Sequence, residues 1–237
     1  VTPLRGWLTG TVGTWQTEDG GFTWNKLFPE DCISVEFTTS GYGLLSTAER
    51  SGYTKIFISK DFGGHWQESS LKVGQYKVNK LESLLAIDQT YLAVMHLEQT
   101  KGEKSTVFVR SNNGINWEIL SSSLNANGSY KLFFINQKEG WIADRFSATI
   151  FQTIDGGKSW SQLSTKPPIE TLISFFFVDL QKGWLISEPD STEETGVYRT
   201  EDGGASWTVL TSEELERFEI TEWKDLMLLK MLLNHKK

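Results

Sequence analysis

The chain has one cysteine, Cys32, in 237 residues. A single thiol closes no internal disulfide, so a disulfide framework is excluded as the source of stability. Its neighbours Glu30 and Asp31 oppose the thiolate that a nucleophilic cysteine needs. Cys32 therefore reads as a small buried residue. The three histidines, His65, His96 and His235, show no ligand spacing, so no metal site and no cofactor is expected. No apolar run approaches the ~18 residues of a membrane span. No basic segment followed by an apolar one opens the chain, and Val1-Thr2-Pro3-Leu4-Arg5 reads as a processed or trimmed start. Basic residues number 23 against 30 acidic ones, a net charge of −7 that disfavours nucleic acid and anionic lipid as partners. Neither a Gly-x-Ser-x-Gly elbow nor a Walker-type phosphate loop is present.

What the chain has is glycine, 21 residues, and tryptophan, 10. They recur together. Thr17-Glu18-Asp19-Gly20-Gly21-Phe22-Thr23-Trp24 is repeated at Ser59 to Trp66 around Asp61, at Thr153 to Trp160 around Asp155, and at Thr200 to Trp207 around Asp202. A fifth copy, Ser111 to Trp117, is one residue shorter. Counted back from Trp117, Asn112 takes the aspartate place and is grouped with the aspartates; counted forward from Ser111, Asn113 does. The tryptophans Trp24, Trp66, Trp117, Trp160 and Trp207 are 42, 51, 43 and 47 residues apart. A period in the forties is the length of a four-stranded propeller blade.

Each motif reads as a turn. The carboxylate accepts bonds from backbone N–H groups just ahead of it, and the hydroxyl two residues earlier bonds the same loop. Glycine supplies positive φ, and tryptophan supplies a large apolar wedge for the neighbouring sheet. Equivalent copies, one per blade, argue for architecture, because a catalytic centre uses different residues in different roles. A second element, Gly6-Trp7-Leu8-Thr9-Gly10, recurs at Gly41, Gly140 and Gly183, and more loosely at Thr90. Apolar, β-branched and aromatic runs precede it at 33–37, 84–87, 132–135 and 173–178. The expected blade is thus strand A, a short turn, the Gly-Trp strand B, a loop, strand C ending at the turn motif, and strand D carrying its tryptophan. The fold class is an all-β propeller of about five four-stranded antiparallel blades, a single domain over 1–237. Blade one lacks its strand A. Residues 217–237 close the ring through Phe218 to Trp223 or begin a sixth blade, with Leu226 to Lys237 as a short amphipathic helix in another reading.

The combination of Gly-Trp with Thr-x-Asp-Gly-Gly-x-Ser/Thr-Trp resembles the BNR/Asp-box propellers, and within them the photosystem II assembly/stability factors and their bacterial relatives. The resemblance spans residues 6 to about 210. It implies a seven-bladed relative, a noncatalytic role in assembling a membrane complex, and a secreted, periplasmic or lumenal setting. Asp boxes also occur in sialidases and xyloglucan-cleaving hydrolases. A glycan-cleaving enzyme is the alternative function, with Glu49, Asp144, Glu188 and Asp190 as its candidate acids. The ordered arginine set of a sialidase is not visible.

If the boxes are C–D turns, the B–C loops lie at the opposite end of each blade, where binding residues are free to vary. Arg50, Asp144, Arg145, Glu188 and Asp190 fall in these loops and are the candidate binding residues for a protein partner. Arg145, between Asp144 and Phe146 in a short loop, is the preferred one, as a guanidinium suits a carboxylate or a peptide carbonyl.

Overall fold

The computed structural model describes residues 4–29, 31–47, 55–69, 71–98, 104–125, 128–188, 196–211, 213 and 214. Phe218 to Trp223 and Leu226 to Lys237 lie outside the described residues, as does the whole segment read as a closing strand. The chain divides into two compact units, Val1–Asn127 and Gly128–Lys237.

The first unit holds three antiparallel sheets. Blade one is β1 (Gly6–Gly10), β2 (Gly13–Thr17) and β3 (Asn25–Phe28), in that order. Among the described residues it begins at strand B, and β1 has one ladder partner, β2. Blade two is β4 (Cys32–Phe37), β5 (Gly43–Thr47), β6 (Ile56–Ser59) and β7 (Gln67–Ser69). Blade three runs β8 (Lys72–Val73), β9 (Tyr76–Ile87), β10 (Thr90–Glu98), β11 (Lys104–Ser111) and β12 (Glu118–Leu124). It is larger than expected. A fifth strand pairs with β9, and β9 is bulged against β10 twice, at Val94/Met95 and His96/Leu97. Glu82 is the extra residue of the first bulge, and its buried carboxylate meets Lys80 at 2.5 Å and His96 at 3.4 Å. Bulges re-aim side chains in this way.

Among the described residues, the second unit holds two four-stranded blades. Blade four is β13 (Tyr130–Phe134), β14 (Gly140–Asp144), β15 (Ile150–Thr153) and β16 (Ser161–Gln162). Blade five is β17 (Leu172–Phe177), β18 (Gly183–Ser187), β19 (Val197–Thr200) and β20 (Thr208–Val209). In all five blades the box tryptophan stands one residue before strand D.

Strand register shows why glycine opens strand B. Phe37 lies opposite Gly43, Phe134 opposite Gly140 and Phe177 opposite Gly183. A Cβ on those glycines would come within 2.3–2.5 Å of the phenylalanine ring. Each ring occupies the space that a side chain at the glycine would need. The equivalent of Gly6 in blade two is therefore Gly43, not Gly41; alignment by the first glycine is two residues out of register. Gly41 instead carries a positive φ of 86° under the ring of Phe62.

Two of these phenylalanines, Phe37 and Phe177, join blades within a unit. Trp7 of β1 stacks on Phe37 at 4.1 Å, and Trp141 of β14 stacks on Phe177 at 4.0 Å with ring planes 3° apart. Phe177 is thus held between Gly183 of its own blade and Trp141 of the one before. The next residue of strand B is fully buried in Leu45, Ile142 and Leu185, whereas the equivalent Leu8 is 56% exposed. Among the described residues, no strand pairs with β1 on its outer side. Cys32 is buried in β4, as a small core residue.

Candidate functional site

The boxes form one end of each blade. In blade four the Thr153 hydroxyl donates to Asp155 Oδ1 at 2.8 Å and accepts from the Gly157 N–H at 2.8 Å. Asp155 also accepts from the Ser159 N–H at 3.0 Å and from the Ser159 hydroxyl at 2.6 Å. Asp19 and Asp202 repeat this with Thr23 and Ser206. The fourth box residue then donates to the A–B turn, as in Gly156 to Lys138 O and Gly203 to Gln181 O, both 2.8 Å. The box and the A–B turn therefore share one end, and the B–C and D–A connections share the other.

Two boxes depart from the pattern. In blade two, His65 replaces the hydroxyl residue, and its Nδ1 bonds Asp61 Oδ2 at 2.6 Å. Phe62 takes the place of the positive-φ glycine with φ 56°, an unfavourable angle for an aromatic residue. Its ring is stacked on Phe37 and capped by the Arg5 guanidinium at 4.6 Å. In blade three, Asn113 takes the aspartate place. Its Oδ1 accepts from the Ile115 and Asn116 N–H groups at 3.0 and 2.9 Å. Asn112 is exposed and accepts from the Thr90 hydroxyl instead. The deletion falls after the asparagine, so counting forward from Ser111 gives the right residue and grouping Asn112 with the aspartates does not. A cavity of about 320 Å³ beside the blade-two box is lined by Asp61, His65, Trp66 and Ile115 among others.

Side-chain donors, chiefly Thr23, His65, Ser159 and Ser206, hold Asp19, Asp61, Asp155 and Asp202 at a pKa of about 2. A depressed carboxylate stabilises the fold above its ordinary value of 3.8 and loses that contribution as pH falls toward about 2. The urea midpoint is accordingly expected to drop between pH 4 and pH 2, and to drop less in Asp155→Asn. Asn113 carries no charge, so the box of blade three contributes nothing to this loss. An equal slope for the wild type and the variant would contradict the assignment.

At the other end of blade four, the loop from Asp144 to Thr149 is tied down on every side. Asp144 Oδ1 accepts from the Phe146 and Ser147 N–H groups at 3.0 and 3.4 Å. The Asp144 N–H donates to Thr149 O at 2.9 Å. Arg145 N–H donates to Ser129 O at 2.6 Å, and Arg145 O accepts from the Leu172 N–H at 2.8 Å. The backbone of Arg145 is thereby clamped between the starts of β13 and β17. Its guanidinium meets Glu188 through Nη2. Glu188 is itself fixed at the end of β18 by its N–H to Thr171 O at 2.9 Å. Phe146 is 63% exposed, with the Arg145 guanidinium 5.7 Å from its ring centroid.

The structure thus gathers three of the five candidate residues, Asp144, Arg145 and Glu188, within one unit. Arg50 and Asp190 lie outside the described residues, as does Glu49. Sequence reasoning missed Phe146 as an exposed partner of the arginine, and missed the ion pair, because Arg145 and Glu188 are 43 residues apart. Among the described residues, no three His, Cys, Asp or Glu side chains gather as metal ligands. Among them also, no helix is long and apolar enough to cross a membrane.

Comparison with known proteins agrees with this architecture. The solved structure of YCF48 bound to D1 peptide is similar over 86% of this chain and 63% of its own, with 18% identity and a TM-score of 0.55. YCF48 from Cyanidioschyzon merolae matches over 90% of this chain and 82% of its own, at 13% identity and a TM-score of 0.50. The GH74 enzyme of Niastella koreensis matches over 90% of this chain but 36% of its own, at 15% identity and a TM-score of 0.62. The chain spans less than two thirds of the peptide-bound YCF48 chain. At these identities the likeness shows the fold, a β-propeller with about five blades in this chain. No curated protein sequence matches the chain. The family model described as photosynthesis system II assembly factor YCF48 matches residues 77–223, more than half of the chain. This chain, with its Gly-Trp strands and turn-forming boxes, belongs to the YCF48 family of photosystem II assembly factors.

Proposed function

We propose that this chain is a noncatalytic propeller that binds an extended segment of a protein partner at the end of its blades opposite the boxes. The role that follows is an assembly factor for a membrane or envelope complex, acting in a lumenal, periplasmic or secreted setting. The observation that carries the reading is the clamped Asp144–Thr149 loop, which presents a cation and an exposed aromatic side by side on a fixed backbone. Preorganised anchors of this kind bind without a large ordering cost. The two acids described there are both engaged, Asp144 with loop amides and Glu188 with Arg145. That engagement favours binding over the acid–base pair of a glycan-cleaving enzyme. Family membership and the D1 peptide bound to YCF48 in a related structure point the same way.

The test is binding of a synthetic D1 peptide by fluorescence anisotropy. Arg145→Gln is expected to weaken it at least tenfold, in keeping with loss of a charge-assisted contact of about 1.5–3 kcal/mol, and Phe146→Ala to weaken it less. Turnover of aryl glycosides or sialosides that is abolished by Glu188→Gln would overturn the reading.

A further inference from the structure

We infer that Glu188 occupies, within the chain, the place that a partner's carboxylate takes on Arg145, and so sets the affinity and selectivity of that site. The inference rests on the binding reading above. A guanidinium offers its Nε and one Nη as a fork that matches both oxygens of a carboxylate. Glu188 meets Nη2 alone, and among the described residues the Arg145 Nε–H, sealed from solvent, has no acceptor. Half of the fork is therefore unused, and a buried donor without an acceptor is an unfavourable state. Both residues reach the contact from backbones tied to neighbouring strand ends. A carboxylate free of that tether, entering as the Glu188 side chain swings away, would lie along the Nε–Nη2 edge and satisfy both donors.

The internal pair is suited to displacement. The two side chains are 36% and 42% exposed. Ion pairs at such exposure hold weakly. Phe146 beside the guanidinium offers an apolar platform for the group that carries the incoming carboxylate. The ligand chemistry that fits is a carboxylate next to an apolar or aromatic side chain, as at the terminal residue of a peptide.

The probe is N-acetyl-L-phenylalanine, titrated at low ionic strength against the whole chain while the Arg145 Nε–Hε resonance is followed by NMR. The resonance is assigned by its disappearance in Arg145→Lys. Glu188→Gln and Glu188→Ala, each checked for a native amide spectrum, are expected to tighten binding about threefold to fivefold. Binding of N-acetyl-L-phenylalaninamide, which lacks the charge, is expected to be the same in the wild type and both variants. Equal affinity for the acid in all three proteins would overturn the role of Glu188 and leave the binding reading standing. No response of the Arg145 resonance in any of them would overturn both.

Discussion

Trp141→Ala is expected to destabilise the unit Gly128–Lys237 by about 3–5 kcal/mol, the range for truncating a large core aromatic. Trp141 is fully buried, and it is among the largest fully buried side chains described. Its ring is the stacked partner of Phe177, so removal leaves a cavity between strands β14 and β17 as well as lost contact. Both blades of the unit contribute to the same cluster, which includes Phe133, Phe175 and Leu185. The collapse needed to fill the cavity would have to move two sheets at once. Urea denaturation of the wild type and the variant measures the effect. A loss under about 1 kcal/mol, the cost of a peripheral contact, would show that the blades are not joined through this stack.

Gly183→Ala is the second large effect. The new methyl would sit 2.5 Å from the Phe177 ring. Phe177 cannot retreat, because Trp141 covers its other face. Overpacking of this kind costs about 1–3 kcal/mol. The control is Gly10→Ala, where nothing lies within 4 Å of the added carbon. The cost of Gly183→Ala should shrink in a Trp141→Ala background, where the ring has room to shift. Additive losses in that cycle would contradict the placement of Phe177 between the two residues.

The parts of this fold that were legible in the sequence are those set by local chemistry. A box closes its hydrogen bonds within four residues, so Asp19, Asp61, Asp155 and Asp202 are readable from spacing alone. Spacing left the short copy open between Asn112 and Asn113; in the structure the Ser111 hydroxyl bonds Asn113 two residues on, as Thr153 bonds Asp155. Tryptophan spacing was enough to give a propeller of about five blades. Features that depend on pairing across strands were not legible in the same way. The Phe–Gly contact was present as a constant interval of six residues, Phe37 to Gly43, Phe134 to Gly140 and Phe177 to Gly183, but its meaning needs the ladder register. The two bulges of β9 and the buried Glu82 leave no comparable trace, because a bulge changes which residues face each other without changing composition. At the end opposite the boxes, Arg145 stood out by its short loop. Its partner did not, because nothing local ties position 188 to position 145.

The boxes brace the turns within each blade, and binding is proposed to take place at the other end. Amide hydrogen exchange of the whole chain, with and without saturating D1 peptide, tests it most directly. The account predicts slowed exchange at Arg145 to Thr149 and at Leu172 and Glu188, with the box amides of Gly157, Ser159, Gly204 and Ser206 unchanged. Protection centred on the box amides, or none anywhere, would contradict it.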